Sequence, residues 1–310
     1  MKSFASELDD FKDLVEAVAR TSNLPLGIIE KDYYVVRALC ALQDAIPGQY
    51  VFKGGTSLSK GWNLLERFSE DVDLLFRTQE DAAALSKGEL DRRMKRAQQI
   101  VEQTAGFTLE SAFSDKGVHR KSKFNYPQNL PTISALGSTV LLEMGTRGGT
   151  NLSVVRSVQS FVAEYAAAHN QQDLAADLTA FAVECLDVRR TFVEKLFAIH
   201  AAYERDHAAG KVRHYYDLYK LAGLEEIREF AGTDEYREVY ADTERYSRES
   251  FPDAALPAGG SFAASRALSP DEAGRAALRR HYAQESELFF VTPPSFDSIL
   301  MRIQEMLPNL

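Results

Sequence analysis

The stretch from Lys53 to Phe76, KGGTSLSKGWNLLERFSEDVDLLF, does most to limit what this chain can become. A short apolar run, Tyr50-Val51-Phe52, leads straight into Lys53-Gly54-Gly55-Thr56-Ser57. That order reads as a strand, a glycine turn and a helix to about Leu65. Val72 and Leu74-Leu75-Phe76 form the next strand. Side chains alternate faces along a strand, so Asp71 and Asp73 point the same way, about 7 Å apart. Two carboxylates side by side repel, and a divalent cation relieves the repulsion; Mg2+ takes such oxygen ligands together with water and phosphate. Backbone N–H groups at the glycine turn can cradle phosphate, with the hydroxyls of Thr56 and Ser57 adding bonds. Each piece has a plain reading alone: a water-facing strand start, a tight turn before a helix. Together they put a triphosphate and Mg2+ at one end of a sheet. The stretch is not a P-loop, whose Gly-x-x-x-x-Gly-Lys-Ser/Thr spacing is absent.

A third acid would complete such a site, and Glu143 in Thr139-Val140-Leu141-Leu142-Glu143-Met144 is the candidate. An unpaired carboxylate inside an apolar strand is costly; the alternative is an edge strand with Glu143 in water. Lys195 lies three residues after Phe192 and four before Ile199, on the apolar stripe of a helix. It either snorkels to the surface or holds phosphate as a point charge. Asp217, amid His214-Tyr215-Tyr216, is a partner for Lys195 or Arg213.

The remaining pattern sets the organisation. Helical periodicity covers 6–20 and 26–44, and residues 88–104 read as helix. Strands are expected at about 106–113 and 119–126, and Thr139–Met144 is a further one. After Gly145 only helical patterns stand out: 184–204, 212–222, 234–249, 270–287 and 295–307, with a loop at 252–264. The fold class is therefore α+β, a mixed sheet flanked by helices followed by an all-helical C-terminal domain. The expected division is 1–165 and 166–310, with the second domain contributing to the nucleotide cleft. The composition, 45% hydrophobic and 26% charged, is that of a globular chain and excludes disorder, collagen and a simple coiled coil. Cys40 and Cys185 are too few for a disulfide framework or a zinc site. No signal peptide and no apolar run of transmembrane length is read, so the expected compartment is the cytoplasm.

The net charge of −9 allows a nucleic-acid partner only through a local basic patch. One exists: nine Lys/Arg against five acids between Lys87 and Lys123, including Arg92, Arg93, Lys95, Arg96, Arg120, Lys121 and Lys123. Phe124 and Tyr126 follow as stacking faces. A solvated helix face beside a charged hairpin would read the same way.

These residues together resemble the AbiEii/AbiGii-type nucleotidyltransferase toxin family of the DNA polymerase β-like superfamily. The matching pieces are Glu30-Lys31-Asp32-Tyr33-Tyr34, Phe52-Lys53-Gly54-Gly55-Thr56-Ser57-Leu58 and Arg67-Phe68-Ser69-Glu70-Asp71-Val72-Asp73-Leu74. Glu194-Lys195-Leu196 and Arg213-His214-Tyr215-Tyr216-Asp217-Leu218 follow in order. The resemblance implies a minimal nucleotidyltransferase core that transfers a nucleoside monophosphate from an NTP. It implies a toxin paired with an antitoxin, and an RNA acceptor, the 3′ end of tRNA, whose modification halts translation. Asp71, Asp73 and Glu143 would hold Mg2+. Lys53, Gly54, Gly55, Thr56, Ser57, Arg67 and Ser69 would bind nucleotide, although Arg67 also fits a surface charge at a helix end. Lys195 would neutralise the triphosphate, and Asp217 would orient Lys195 or touch the nucleotide. The same core can serve a protein or small-molecule acceptor, or a non-catalytic nucleotide-binding module.

Overall fold

Along β7 (Thr139–Gly145) every second residue is buried: Val140, Leu142 and Met144 are inside, while Leu141 and Glu143 are half-buried. β2 (Asp71–Phe76) begins the same way, with Val72 and Leu74 inside and Asp71 and Asp73 half-buried. A period of two with one dry side is the signature of a sheet covered on a single face. The computed structural model describes residues 8–310 except 135, 150, 151, 172, 174 and 252. It arranges seven strands in the order β5 (Thr108–Asp115), β6 (His119–Asn125), β7, β2, β1 (Tyr50–Lys53), β9 (Phe181–Leu186) and β8 (Ser153–Val158). The sheet is mixed: β2 runs parallel to β7 and antiparallel to β1, β6 is antiparallel to both β5 and β7, and β1 is parallel to β9. A separate ribbon pairs β3 (Gln79–Glu80) with β4 (Ala83–Ala84).

The chain divides into two units, 1–63 with 67–185 and 64–66 with 186–310. Residues 166–185, expected in the helical half, go with the sheet because β9 lies beside β1, with Cys185 in register with Phe52. The expectation of helix alone beyond Gly145 is thus corrected by β8 and β9. The helix expected at 184–204 begins only at Val188, where the Asp187 carboxylate accepts the Arg189 N–H and caps it. The helix expected to run to about Leu65 is α3 (Gly54–Thr56) followed by one π-helical turn, Ser57–Gly61, and stops at Gly61. α1 (Leu8–Ser22) matches the expected helix at 6–20, of which residues 6 and 7 lie outside the described residues.

The covered face of the sheet rests on α2 (Leu26–Ala45) and α4 (Lys87–Gln103), which also pack on each other. α4 is started by a capping box between Ser86 and Glu89. α2 is buried without a break from Gly27 to Leu39, although Glu30, Lys31 and Asp32 stand in the middle of that run. Successive helical residues point about 100° apart, so these three charges face three directions. Each has its own partner. The Glu30 carboxylate accepts the N–H groups of Asn129 and Leu130 at 2.9 and 3.2 Å. The Lys31 ammonium donates to the Glu70 carboxylate and, at 2.7 Å, to the Gly137 carbonyl. Asp32 takes the Lys60 ammonium at 3.0 Å and, at 2.7 Å, the N–H of Phe161, the first residue of α5 (Phe161–Ala168). Burial pushes both carboxyls up from their ordinary range, against the pull of these donors.

The second unit is helical throughout. α6 (Val188–Tyr203) packs on α7 (Val212–Ala222), α8 (Glu225–Phe230) and α9 (Asp234–Ser250), and α10 (Glu272–Gln284) and α11 (Phe296–Met306) close on α7. Arg190, fully buried on α6, ties α9 through Asp242 and also bonds Glu194. The short segment 64–66 is strung on this unit: the Glu66 N–H donates to the Tyr216 hydroxyl, and the Lys220 ammonium reaches the Glu66 carboxylate at 3.0 Å.

Removing one member of a buried ion pair leaves the other charge dry and unpaired, at a cost of about 3–5 kcal/mol. Asp32→Ala, which strands Lys60, is expected to lower unfolding stability by that order in urea denaturation. Glu16→Ala, which breaks the exposed Glu16–Arg20 pair, should leave the midpoint unmoved.

Candidate active site

Registers across four strands bring distant residues into one row. Lys53 on β1 is opposite Asp73 on β2, Asp73 is opposite Glu143 on β7, and Glu143 is opposite Lys121 on β6. Residues directly opposite one another share a face, and this is the open face. Asp71 lies on it as well, two residues before Asp73. The sequence expectation that Asp71, Asp73 and Glu143 face the same way therefore agrees with the strand registers.

The glycine turn closes on this row. Gly54 has a φ of +77°, and a Cβ there would lie 2.1 Å from Oδ2 of Asp73. Only glycine takes that conformation cheaply, and only glycine leaves room for the carboxylate. A Cβ on Gly55 would come within 2.6 Å of the Ser69 hydroxyl and 2.9 Å of Nη2 of Arg67. Arg67 is buried and donates to the Phe68 carbonyl at 3.0 Å, so it is not a surface charge at a helix end. Lys53, Gly54, Gly55, Arg67, Ser69 and Asp73 thus come together, and the first turn of the helix leaves N–H groups that the helix itself does not use.

Two expected phosphate ligands are turned away from this opening. The Thr56 hydroxyl is buried and donates to the Asp71 carbonyl at 2.5 Å, tying the helix start to β2. The Ser57 side chain is buried against the Cys185 thiol, whose pKa burial pushes up to about 11. What residues 56 and 57 offer is backbone.

Glu143 is held differently from the expectation. Nζ of Lys121 sits 2.5 Å from its carboxylate, with both side chains partly exposed. Among the described residues no three His, Cys, Asp or Glu side chains form a group able to hold a metal ion. Asp71 and Asp73, two hard oxygen donors on one face, fit a divalent cation that takes its other ligands from phosphate and water. Glu143 does not complete the set while Lys121 occupies it.

The basic stretch is split between two places. Arg120 lies on the covered face, bonded to Gln98 at 2.9 Å and near Asp91, and so belongs to the packing of α4 on β6. Arg92, Arg93 and Arg96 line an open cleft of about 360 Å3 with Gln49, Glu80, Leu85 and Glu89, and Arg93 is paired with Glu80. Lys95 is exposed on the same helix. Lys121 and Lys123 instead stand on the open face with the acids. Phe124 and Tyr126, expected as stacking faces, are in the core, where Phe124 meets Phe107, and Tyr126 meets Tyr34 at 4.9 Å between ring centres.

In the second unit, Lys195 neither snorkels nor stands alone. Its ammonium lies 2.7 Å from the Asp217 carboxylate and 3.3 Å from Nδ1 of His214. Lys195 is 5% exposed and Asp217 1%. Arg213, the other partner considered for Asp217, goes to Glu285.

A family model described as the nucleotidyl transferase AbiEii toxin of type IV toxin–antitoxin systems matches residues 37–302. No curated protein matches the chain. Among solved structures the chain is similar to MenT4, a nucleotidyltransferase toxin from Mycobacterium tuberculosis, at 18% sequence identity and a TM-score of 0.43, over 87% of this chain and 98% of that one. No described helix is long and apolar enough to cross a membrane.

Gly54→Ala places a methyl group where the Asp73 carboxylate stands. It is expected to cost about 1–2 kcal/mol of stability from the left-handed backbone and to abolish Mg2+-dependent nucleotide binding, read by calorimetry on the folded variant. Lys195→Met removes the ammonium that faces the buried Asp217 carboxylate, and should cost about 3–5 kcal/mol. The double variant Lys195→Met, Asp217→Leu should recover much of that loss in the same denaturation series.

Proposed function

The chain belongs to the AbiEii family of nucleotidyl transferase toxins of type IV toxin–antitoxin systems, and we propose that it transfers a nucleoside monophosphate from an NTP, with Mg2+, to the 3′ end of a tRNA, stopping translation. The family makes it a transferase with an NTP as substrate and a cognate antitoxin as partner. The observation that carries the finer reading is the contact of the Gly54 turn with the Asp73 carboxylate. A phosphate cradle and a metal-binding acid are then neighbours, as a metal-bound triphosphate needs.

The acceptor hydroxyl attacks the α-phosphorus in line. The new P–O bond forms as the bond to the bridging oxygen of the β-phosphate breaks, pyrophosphate leaves, and the hydroxyl proton passes to solvent. Asp71 and Asp73 would hold the Mg2+, which supplies charge neutralisation at the attacking and leaving oxygens. Gly54 and Gly55 let the backbone approach the phosphates, and Arg67 and Ser69 flank that approach. Lys53 brings a positive charge to the row. Lys195 is assigned triphosphate charge by the family resemblance, and its pairing with Asp217 within the second unit fixes its orientation.

The decisive experiment incubates the protein with each α-labelled NTP, Mg2+ and total tRNA, beside an Asp71→Ala, Asp73→Ala double variant. The expected result is label on tRNA from the wild type, none from the variant, and a steep fall with added salt. Label on protein instead of tRNA overturns the acceptor. Absence of Mg2+-dependent nucleotide binding overturns the enzyme and leaves a partner-binding module.

A further inference from the structure

The row that contains Lys53, Asp73, Glu143 and Lys121 does not stop at Lys121. On the edge strand β5, Phe113 is directly opposite Lys121, and Ser111 is opposite Lys123. Phe113 therefore shares the open face with the acids. Its ring is 65% exposed and leans on His119 of the same face, 6.4 Å between ring centres. Lys123 is exposed beside it. Three strand spacings of about 4.8 Å separate Phe113 from Asp73, roughly 14 Å along the row. An aromatic ring, two lysines and then the acids follow one another across one surface.

We propose that the open face of the β5–β6 hairpin is the seat of the acceptor's single-stranded 3′ end, with a base stacked on Phe113 and phosphates on Lys121 and Lys123. The proposal rests on the transfer reading above and adds where the acceptor lies. Single strands are bound by an aromatic platform beside a basic track, since every base has a face to stack and every nucleotide a phosphate. The lysines supply charge complementary to a polyanion in a chain whose net charge is −9. The Lys121–Glu143 pair is half in water, and such a pair opens at little cost. When Lys121 turns to a phosphate, Glu143 is released beside Asp73. The basic residues of α4 are not part of this surface, and neither are Phe124 and Tyr126.

The test measures binding of the full chain to a fluorescein-labelled single-stranded RNA octamer with a free 3′ hydroxyl, by anisotropy and without NTP. Phe113→Ala should weaken binding roughly 5- to 150-fold, while its melting temperature and its affinity for Mg2+–NTP stay at the wild-type values. Phe113→Trp should restore affinity, and its emission should be quenched by the RNA. Lys123→Gln should reduce the slope of log affinity against log salt by about 0.7, whereas Arg92→Gln should leave it unchanged.

A Phe113→Ala protein that binds the octamer like the wild type overturns the proposal and makes the exposed ring a surface for a protein partner. So does a wild type that binds no single-stranded RNA, or a loss in Phe113→Ala matched by loss of NTP binding. Failure of the transfer reading looks different: RNA binding would depend on Phe113 as described, yet no NTP would label it.

Discussion

A helix with three consecutive charged residues, all out of water, has to find a partner in three directions at once, and α2 does so with segments that are far apart in the chain. Glu30 holds the loop at 129–130, Lys31 holds Glu70 and Gly137, and Asp32 holds Lys60 and the start of the helix at Phe161. Two of these reach the site by one step. Glu70 is the residue before Asp71. Lys60 lies in the helical turn that follows the Gly54-Gly55 pair. The Asp71–Asp73 strand and the Gly54-Gly55 turn are thus held by neighbouring side chains of one helix. The cost of burying these charges is met only when every partner is in place, so α2 is a device for geometry as much as for stability.

The second constraint is the one-sided sheet. Helices α2 and α4 cover one face, which leaves the other for polar side chains. Parallel pairing of β2 with β7 then sets Asp73 against Glu143, and antiparallel pairing of β6 with β7 sets Lys121 against Glu143. A slip of one residue in any of these registers would send the charged row into the core. Because burial makes such a slip expensive, the hydrophobic pattern of β7 also fixes the order of charges on the other side.

Much of this was legible in local patterns. The Asp-x-Asp strand, the glycine turn, α4, α7 and the hairpin were read within a few residues of their observed ends, since each carries its own periodicity or turn. β9 was not, because Phe181-Ala-Val-Glu-Cys-Leu runs into α6 with a single residue, Asp187, between strand and helix. Composition does not say which way a short helix turns, and the hydroxyls of Thr56 and Ser57 face the interior where the sequence suggests phosphate. Parity along β6 separates its side chains. Ser122 and Phe124 share one side while Lys121 and Lys123 share the other, so the aromatic beside the lysines cannot be Phe124. It is Phe113 across the hairpin, and only the register of β5 on β6 identifies it.

The row of charges has a further consequence. Lys53, Asp73, Glu143 and Lys121 carry two charges of each sign, so the row is balanced without any ion. A divalent cation at Asp71 and Asp73 disturbs that balance, and a triphosphate disturbs it in the opposite sense. The acceptor's phosphates, on the proposal above, offer the Lys121 ammonium new oxygens in exchange for a half-exposed carboxylate, at little cost. On that proposal Glu143 is covered by Lys121 while no acceptor is bound and uncovered beside Asp73 when one arrives.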